Sequence, residues 1–173
     1  EMADHTLRWC REDHLEGRGF LLENPARSYL WCVEEAIELG NTEGVFDVLC
    51  HNCMFAHGKR RKWTRWRTNI QGLKALERTC SEVKYCDSTK ALHEAFAPTV
   101  VKGGDVTFAT EEEAEYPDEM CEVIAGVILE YAELNTERRH QCTFDFTEVF
   151  SGPIAKVTHA VGRRFIGSPN AKE

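Results

Sequence analysis

The sequence has no long apolar run. Nowhere do about 18 consecutive apolar residues occur, the length a helix needs to span a bilayer, and the opening residues are charged where a secretory leader would be apolar. The chain is therefore expected to be soluble and intracellular, with no membrane partner and nothing to separate nucleus from cytoplasm. A basic surplus is also missing. The 21 Lys and Arg stand against 29 Asp and Glu, a net charge of −8. Such a molecule is not built everywhere for phosphate, so any contact with nucleic acid must be local. There is no internal repeat, and no glycine-rich turn precedes the first helical pattern, "HTLRWCREDHLEG". The chain is accordingly expected to be the rear portion of a larger fold.

What is present fits one domain with a real core, since 173 residues are too few for two ordinary ones. The expected division is a domain over 1–134 and a tail over 135–173, where periodicity fades and Ser151-Gly152-Pro153 and Gly167-Ser168-Pro169 punctuate the chain. Leu7, Cys10 and Leu15 recur at helical spacing. Gly17 and Gly19 end that pattern and "GFLLE" reads as a short strand. Asn24 then suits an N-cap and Pro25 a first helical position, with Tyr29, Leu30, Val33, Ala36 and Ile37 as one apolar stripe closing at Gly40.

Val45–Asn52 is the next expected strand, with Phe46, Val48 and Cys50 on one face and Asp47, Leu49 and His51 on the other. Lys62–Asn69 follows as a strand whose Trp63, Arg65, Arg67 and Asn69 share a face opposite Thr64, Trp66 and Thr68. "IQGLKALERTC" predicts a short helix through Leu73 and Leu76, and residues 81–110 look irregular, with a turn at Gly103-Gly104. An acidic run, 111–115, precedes Tyr116-Pro117. Beyond it Met120, Val123, Ile124, Val127, Ile128 and Tyr131 define the clearest amphipathic helix in the chain. Strands alternating with helices predict an α/β domain of three layers.

Eight cysteines without a secretory leader point to thiols or metal ligands rather than a disulfide framework. Cys53, Cys80, Cys86 and His93 form a candidate zinc site of three thiolates and one imidazole, which would give shape to a stretch otherwise poor in regular structure. Cys50 offers a rival pairing with Cys53, but it keeps phase with Phe46 and Val48 and reads as core. Cys10, Cys32, Cys121 and Cys142 read as structural or incidental. The alternative that all eight are unligated thiols stays open.

Lys59, Arg60, Arg61, Lys62, Arg65 and Arg67 gather six of the 21 basic residues into nine positions, with Trp63 and Trp66 interleaved. That mixture contacts phosphates and stacks on unpaired bases, or else it is a solvated loop neutralising nearby acids. Glu23-Asn24-Pro25, a turn after a strand, lies where α/β sheets place ligands.

The order of "LENPARSYLW", "CHNCMFAHGKRRKWTRWRTN", Cys80-x5-Cys86 with "HEAF", and "YPDEMCEVIAGVIL" resembles a phage-type family related to cytosine-specific DNA methyltransferases, and similar domains in mobile-element polyproteins. The resemblance covers roughly residues 18 to 133. It implies a partial Rossmann-like, methyltransferase-type fold, with Glu23, Asn24 and Pro25 at a target base, either hydrogen-bonding a flipped pyrimidine or shaping its pocket. It further implies DNA contact through Lys59, Arg60, Lys62, Thr64, Arg65, Arg67 and Asn69, with the Glu23 turn and the Arg65 face lining one crevice.

The chain departs from the family at Ala56, where glycine is usual, and at Trp63, where proline is usual. The glycine-rich turn for S-adenosylmethionine and the Pro-Cys nucleophile are not among these residues; Cys10 follows Trp9. The resemblance thus implies a domain incomplete or inactive in isolation, with S-adenosylmethionine bound only if an upstream half supplies its site. The alternative is a zinc-stabilised interaction or structural module that binds neither DNA nor cofactor.

Overall fold

The computed structural model describes residues 2–56, 58–95, 100–102, 105–107 and 116–135. The expected tail from 136 on, the Gly103-Gly104 turn, the acidic run 111–115 and His57 lie outside the described residues. The architecture is mixed: helices pack on a small, three-stranded antiparallel sheet. Helix α1 spans Met2–Leu15, strand β1 Leu21–Pro25, helix α2 Glu34–Gly40, strand β2 Phe46–His51, strand β3 Trp63–Thr68 and helix α3 Asp118–Leu134. Short 3-10 segments cover Tyr29–Cys32, Asn52–Met54 and Gln71–Leu76, and a separate hairpin joins β4 (Val100–Lys102) to β5 (Asp105–Thr107) in a stretch expected to be irregular. Among the described residues no helix is long and apolar enough to cross a membrane.

The sheet order is β1-β3-β2, and β3 is antiparallel to both neighbours. Strands β1 and β2 therefore run parallel to each other, linked by a helical crossover, with β3 inserted between them. A Rossmann-type sheet is built from adjacent parallel strands, and no such neighbouring pair occurs among the described residues.

Alternation along the strands sends two side-chain sets to opposite faces. Val48, Cys50 and Trp66 pack with Ile70, Leu73 and Leu76 beneath Met120, Ile124, Val127 and Ile128 of α3. Leu22 packs on the other face with Leu7 and Cys10 of α1 and with Trp31, Ala36, Leu39 and Val45. The apolar period of α3 is thus buried as its sequence predicts, and Pro117 sits at its start.

The turn after β1 departs from expectation. Pro25 does not open a helix; it ends β1 opposite Thr64, at the strand's terminus where its missing N–H is tolerated. Its carbonyl accepts from the Trp31 indole at 2.9 Å and from the Ser28 N–H at 2.9 Å. Ser28 then caps the first 3-10 turn, its Oγ accepting from the Leu30 N–H at 3.2 Å. Moving the start from Asn24 to Ser28 rotates the buried face. Tyr29 is 90 % exposed and Ile37 49 %, while Trp31, Ala36 and Leu39 point inward.

Arg67 is the second departure, since it is only 3 % exposed. Its Nε donates to Asp47 Oδ1 at 2.8 Å and its Nη2 to Asp47 Oδ2 at 3.0 Å, while Nη1 donates to the Ala36 carbonyl of α2. Arg65 also pairs with Asp47, and both guanidiniums lie over the Trp31 ring, at 4.7 and 5.2 Å. A Cβ on Gly40 would stand 2.6 Å from Arg67 Nη2, so the closing glycine of α2 makes room for the cation.

Burial by itself would raise the Asp47 carboxyl, but hydrogen bonds from Arg67 and Arg65 outweigh it and hold the group below its ordinary 3.8. A depressed carboxyl contributes stability that is present above the unfolded value and lost as pH falls through the folded one. Arg67→Ala is expected to destabilise the fold by about 3–5 kcal/mol by leaving Asp47 with Arg65 alone and the Ala36 carbonyl without its donor, and acid unfolding of the parent should begin below pH 3.8 at this pair. Urea titrations at pH 7 and pH 3 check both points.

Candidate metal centre

Cys53, Cys80, Cys86 and His93 come from three separate segments, yet their ligand atoms all lie within 4.8 Å of one another. Cys53 sits in the 3-10 turn that ends β2, and Cys80 follows the buried Leu76 turn. Cys86 and His93 belong to a narrow loop closed by a bridge between Tyr85 and Leu92. Inside that loop the Cys86 N–H donates to the Ala91 carbonyl at 2.8 Å and the Lys90 N–H to the Cys86 carbonyl at 2.9 Å. Lys90 takes a φ of 58°, the left-handed region that tight return requires. The three thiols are 0–2 % exposed, and Met54 packs against them.

The donor set can hold a metal ion such as zinc. Bonds of about 2.3 Å to sulfur and about 2.0 Å to nitrogen place tetrahedral ligand atoms about 3.5–3.8 Å apart, and Cys80 Sγ lies 3.7 Å from His93 Nε2. The outer groups orient the ligands. His93 Nδ1 donates to the Val83 carbonyl at 2.8 Å, which leaves Nε2 free of its proton and turned toward the thiols. Burial pushes the Cys86 thiol up, but the Thr89 backbone and hydroxyl, the Ser88 backbone and the His93 ring more than offset this and bring it down to about 6. Cys53 moves the opposite way, raised by burial and then by Cys86 and Cys80. A lowered Cys86 thiol beside the raised Cys53 thiol suits stepwise capture of a cation, because zinc displaces thiol protons on binding.

Cys80 also ties the cluster to the sheet. Its N–H donates to His51 Nδ1 at 3.1 Å, and its carbonyl accepts from Arg61 Nε at 3.1 Å and Nη2 at 2.7 Å. Glu119 of α3 receives the Ala56 N–H and pairs with Arg78, so the long helix braces the same corner. Gly58 is required there, since a Cβ would fall 1.9 Å from the Asn52 carbonyl oxygen. Cys10 and Cys50, each pushed up to about 12 chiefly by burial, are core thiols outside this cluster.

The residues expected to line one nucleic-acid crevice do not come together. Glu23 pairs with Trp66 and Asn24 with Arg65 across the β1–β3 ladder, so Glu23 and Arg65 project from opposite faces of the sheet. Arg67 is buried, Thr64 is fully buried with its hydroxyl on Asn52 Oδ1 at 3.2 Å, and Asn69 clamps α1 and the turn after it to the sheet through the His14 ring, the Arg18 carbonyl and the Phe20 N–H. Trp66 is 5 % exposed and unavailable for stacking. Lys59 is exposed beside Glu94, Arg60 is half-buried, and Lys62 lies over the Tyr116 ring on the Glu23 side.

Glu23 itself is a half-buried acid whose buried Oε1 has no hydrogen-bond partner. Burial raises its carboxyl above the ordinary 4.5, against smaller opposing pulls from Lys62 and Tyr116.

Sequence spacing identified the metal quartet but not its supports. Arg61 and His51 act through a backbone carbonyl and N–H of Cys80, and backbone partners leave no residue-type signal.

The chain matches no family model, no curated protein and no solved structure. Fold and site together define a small α/β domain with a Cys3His cluster able to hold a metal.

Three outcomes follow for single substitutions. Glu23→Gln should stabilise the fold at neutral pH, with the advantage shrinking as pH falls through the raised folded value toward 4.5 and gone below it; thermal melts from pH 7 to below 4.5 check it. Lys90→Gly removes a left-handed non-glycine residue and should be neutral to stabilising by up to about 1 kcal/mol in thermal melts, whereas Gly58→Ala should strongly weaken the fold.

Proposed function

We propose that the chain is a zinc-stapled binding module, in which a Cys3His centre fixes the loop of residues 78–95 onto the ends of β2 and β3. One observation carries this: four ligands of the right types converge within 4.8 Å from three segments with no shared secondary structure. Loop residues of this kind bury little else. Val83 is 77 % exposed, Tyr85 49 % and Leu92 59 %, so apolar packing does not account for the loop's shape. A bound metal supplies the missing cohesion, as it does in small zinc modules whose folding free energy is largely binding free energy. The role of the metal is structural, since all four positions are taken by protein ligands and none is left for water or substrate.

A second reading keeps the sequence resemblance to cytosine-specific DNA methyltransferases, with DNA as partner. The parallel pair β1 and β2 with its helical crossover supports it, as does a protonatable Glu23 near the carboxyl end of β1. Anisotropy titration of a labelled DNA duplex tests this reading, and absence of binding overturns it for this chain.

The metal assignment is tested on protein purified under reducing conditions. About one zinc per chain is expected, lost together with the melting transition on chelation and restored by added zinc. Cys80→Ser and His93→Ala should each lower zinc affinity by at least about tenfold. A metal-free chain whose melting temperature is unmoved by zinc or chelator would end the proposal.

A further inference from the structure

A groove of about 490 Å³ opens at the end of the sheet where β1 and β2 finish and β3 begins, lined by Pro25, Arg27, His51, Arg61 and Trp63. Its size is in the range of small-ligand sites, and its place, beyond the carboxyl ends of two parallel strands, is where α/β sheets bind ligands. The lining carries two guanidiniums and an indole, and no carboxylate. The Arg27 guanidinium lies 5.6 Å from the centre of the Trp63 ring, and among the described residues neither Arg27 nor Arg61 has an acidic partner. On a chain of net charge −8, two unneutralised cations facing one groove contrast with Arg65 and Arg67, which share Asp47.

The indole is fixed on one side and open on the other. Trp63 stacks on His51 with centroids 5.8 Å apart and planes 9° from parallel, yet 37 % of the Trp63 surface stays exposed while His51 beneath it is 6 % exposed. The His51 ring is itself fixed, since its Nδ1 accepts the Cys80 N–H at 3.1 Å. An indole backed by His51, with the exposed Arg27 guanidinium over its ring and Arg61 on the same groove wall, matches a base stacked on the indole in place of Arg27 and a phosphate held by the guanidiniums.

We infer that this groove binds a nucleoside phosphate, as a free nucleotide or as an unpaired residue of a single-stranded nucleic acid, with Trp63 stacking the base and Arg27 and Arg61 taking the phosphate. The site is distinct from the Arg65–Arg67 face, which is closed internally. It rests on the zinc-stapled reading in one respect: Cys80 positions both His51 and Arg61 through its backbone N–H and carbonyl, so metal loss should loosen two of the five lining residues.

The test is fluorescence anisotropy with a labelled short oligothymidylate on the zinc-loaded chain, with an abasic strand of equal length and thymidine monophosphate as competitors. Trp63→Ala should weaken binding by roughly tenfold or more and Trp63→Phe should largely retain it. Arg27→Ala, at an exposed turn position that leaves the fold intact, should weaken binding and flatten its salt dependence.

Competition by the mononucleotide at similar concentrations supports a free-nucleotide ligand. Binding of the strand without such competition supports a single-stranded one. Equal affinity for the abasic strand, unchanged affinity in both Trp63→Ala and Arg27→Ala, or no binding of either ligand overturns the proposal. Zinc stoichiometry on the same samples reports on the metal centre separately, so a zinc-loaded, folded chain that ignores nucleotide sinks the groove alone.

Discussion

The bidentate bond between Arg67 and Asp47 is the constraint around which the described fold is arranged. It crosses from β3 to β2, and a third donor on the same guanidinium reaches the Ala36 carbonyl, so one buried cation joins two strands and a helix. A buried charge is tolerated only when paired and hydrogen-bonded, and the neighbouring structure complies. Gly40 leaves space for the guanidinium, and Trp31 covers both arginines while its own indole N–H is satisfied by Pro25. The pair also fixes register, because a one-residue slip of β3 would send Arg67 into the apolar layer under α3.

Two consequences run from that anchor toward the chemistry. With Arg65 and Arg67 used internally, the cationic surface left at the sheet's end belongs to Arg27 and Arg61. With register set, Trp63 falls opposite His51 and the two rings stack. The metal ligands lie just beyond, so the same strand ends carry the cluster on one side and the groove on the other. Cys80 is the link, through its N–H and carbonyl rather than its sulfur.

The sequence was most legible where periodicity reports burial directly. The α3 pattern, the two faces of β2 and β3, and the quartet Cys53, Cys80, Cys86 and His93 all follow from residue type and spacing. It was least legible where a polar group's partner lies far along the chain. Arg67 reads as a surface cation until Asp47, 20 residues earlier, is placed beside it. Asn69 likewise reads as a base-contacting amide until α1 is docked. Pro25 misleads for a local reason: its fixed φ suits a first helical turn and a strand end alike, and the Trp31 indole decides between them. The shared crevice failed on parity, because Glu23 and Arg65 stand opposite adjacent rather than equivalent rungs of the ladder.

The strand order carries a topological implication. Strand β3 is central in space yet last of the three in the chain, so β1 and β2 have no ladder partner until residues 63–68 are available. The sheet is thus closed from its middle: any segment ending before Trp63 holds two strands with no ladder between them, and the span 63–68 joins both at once.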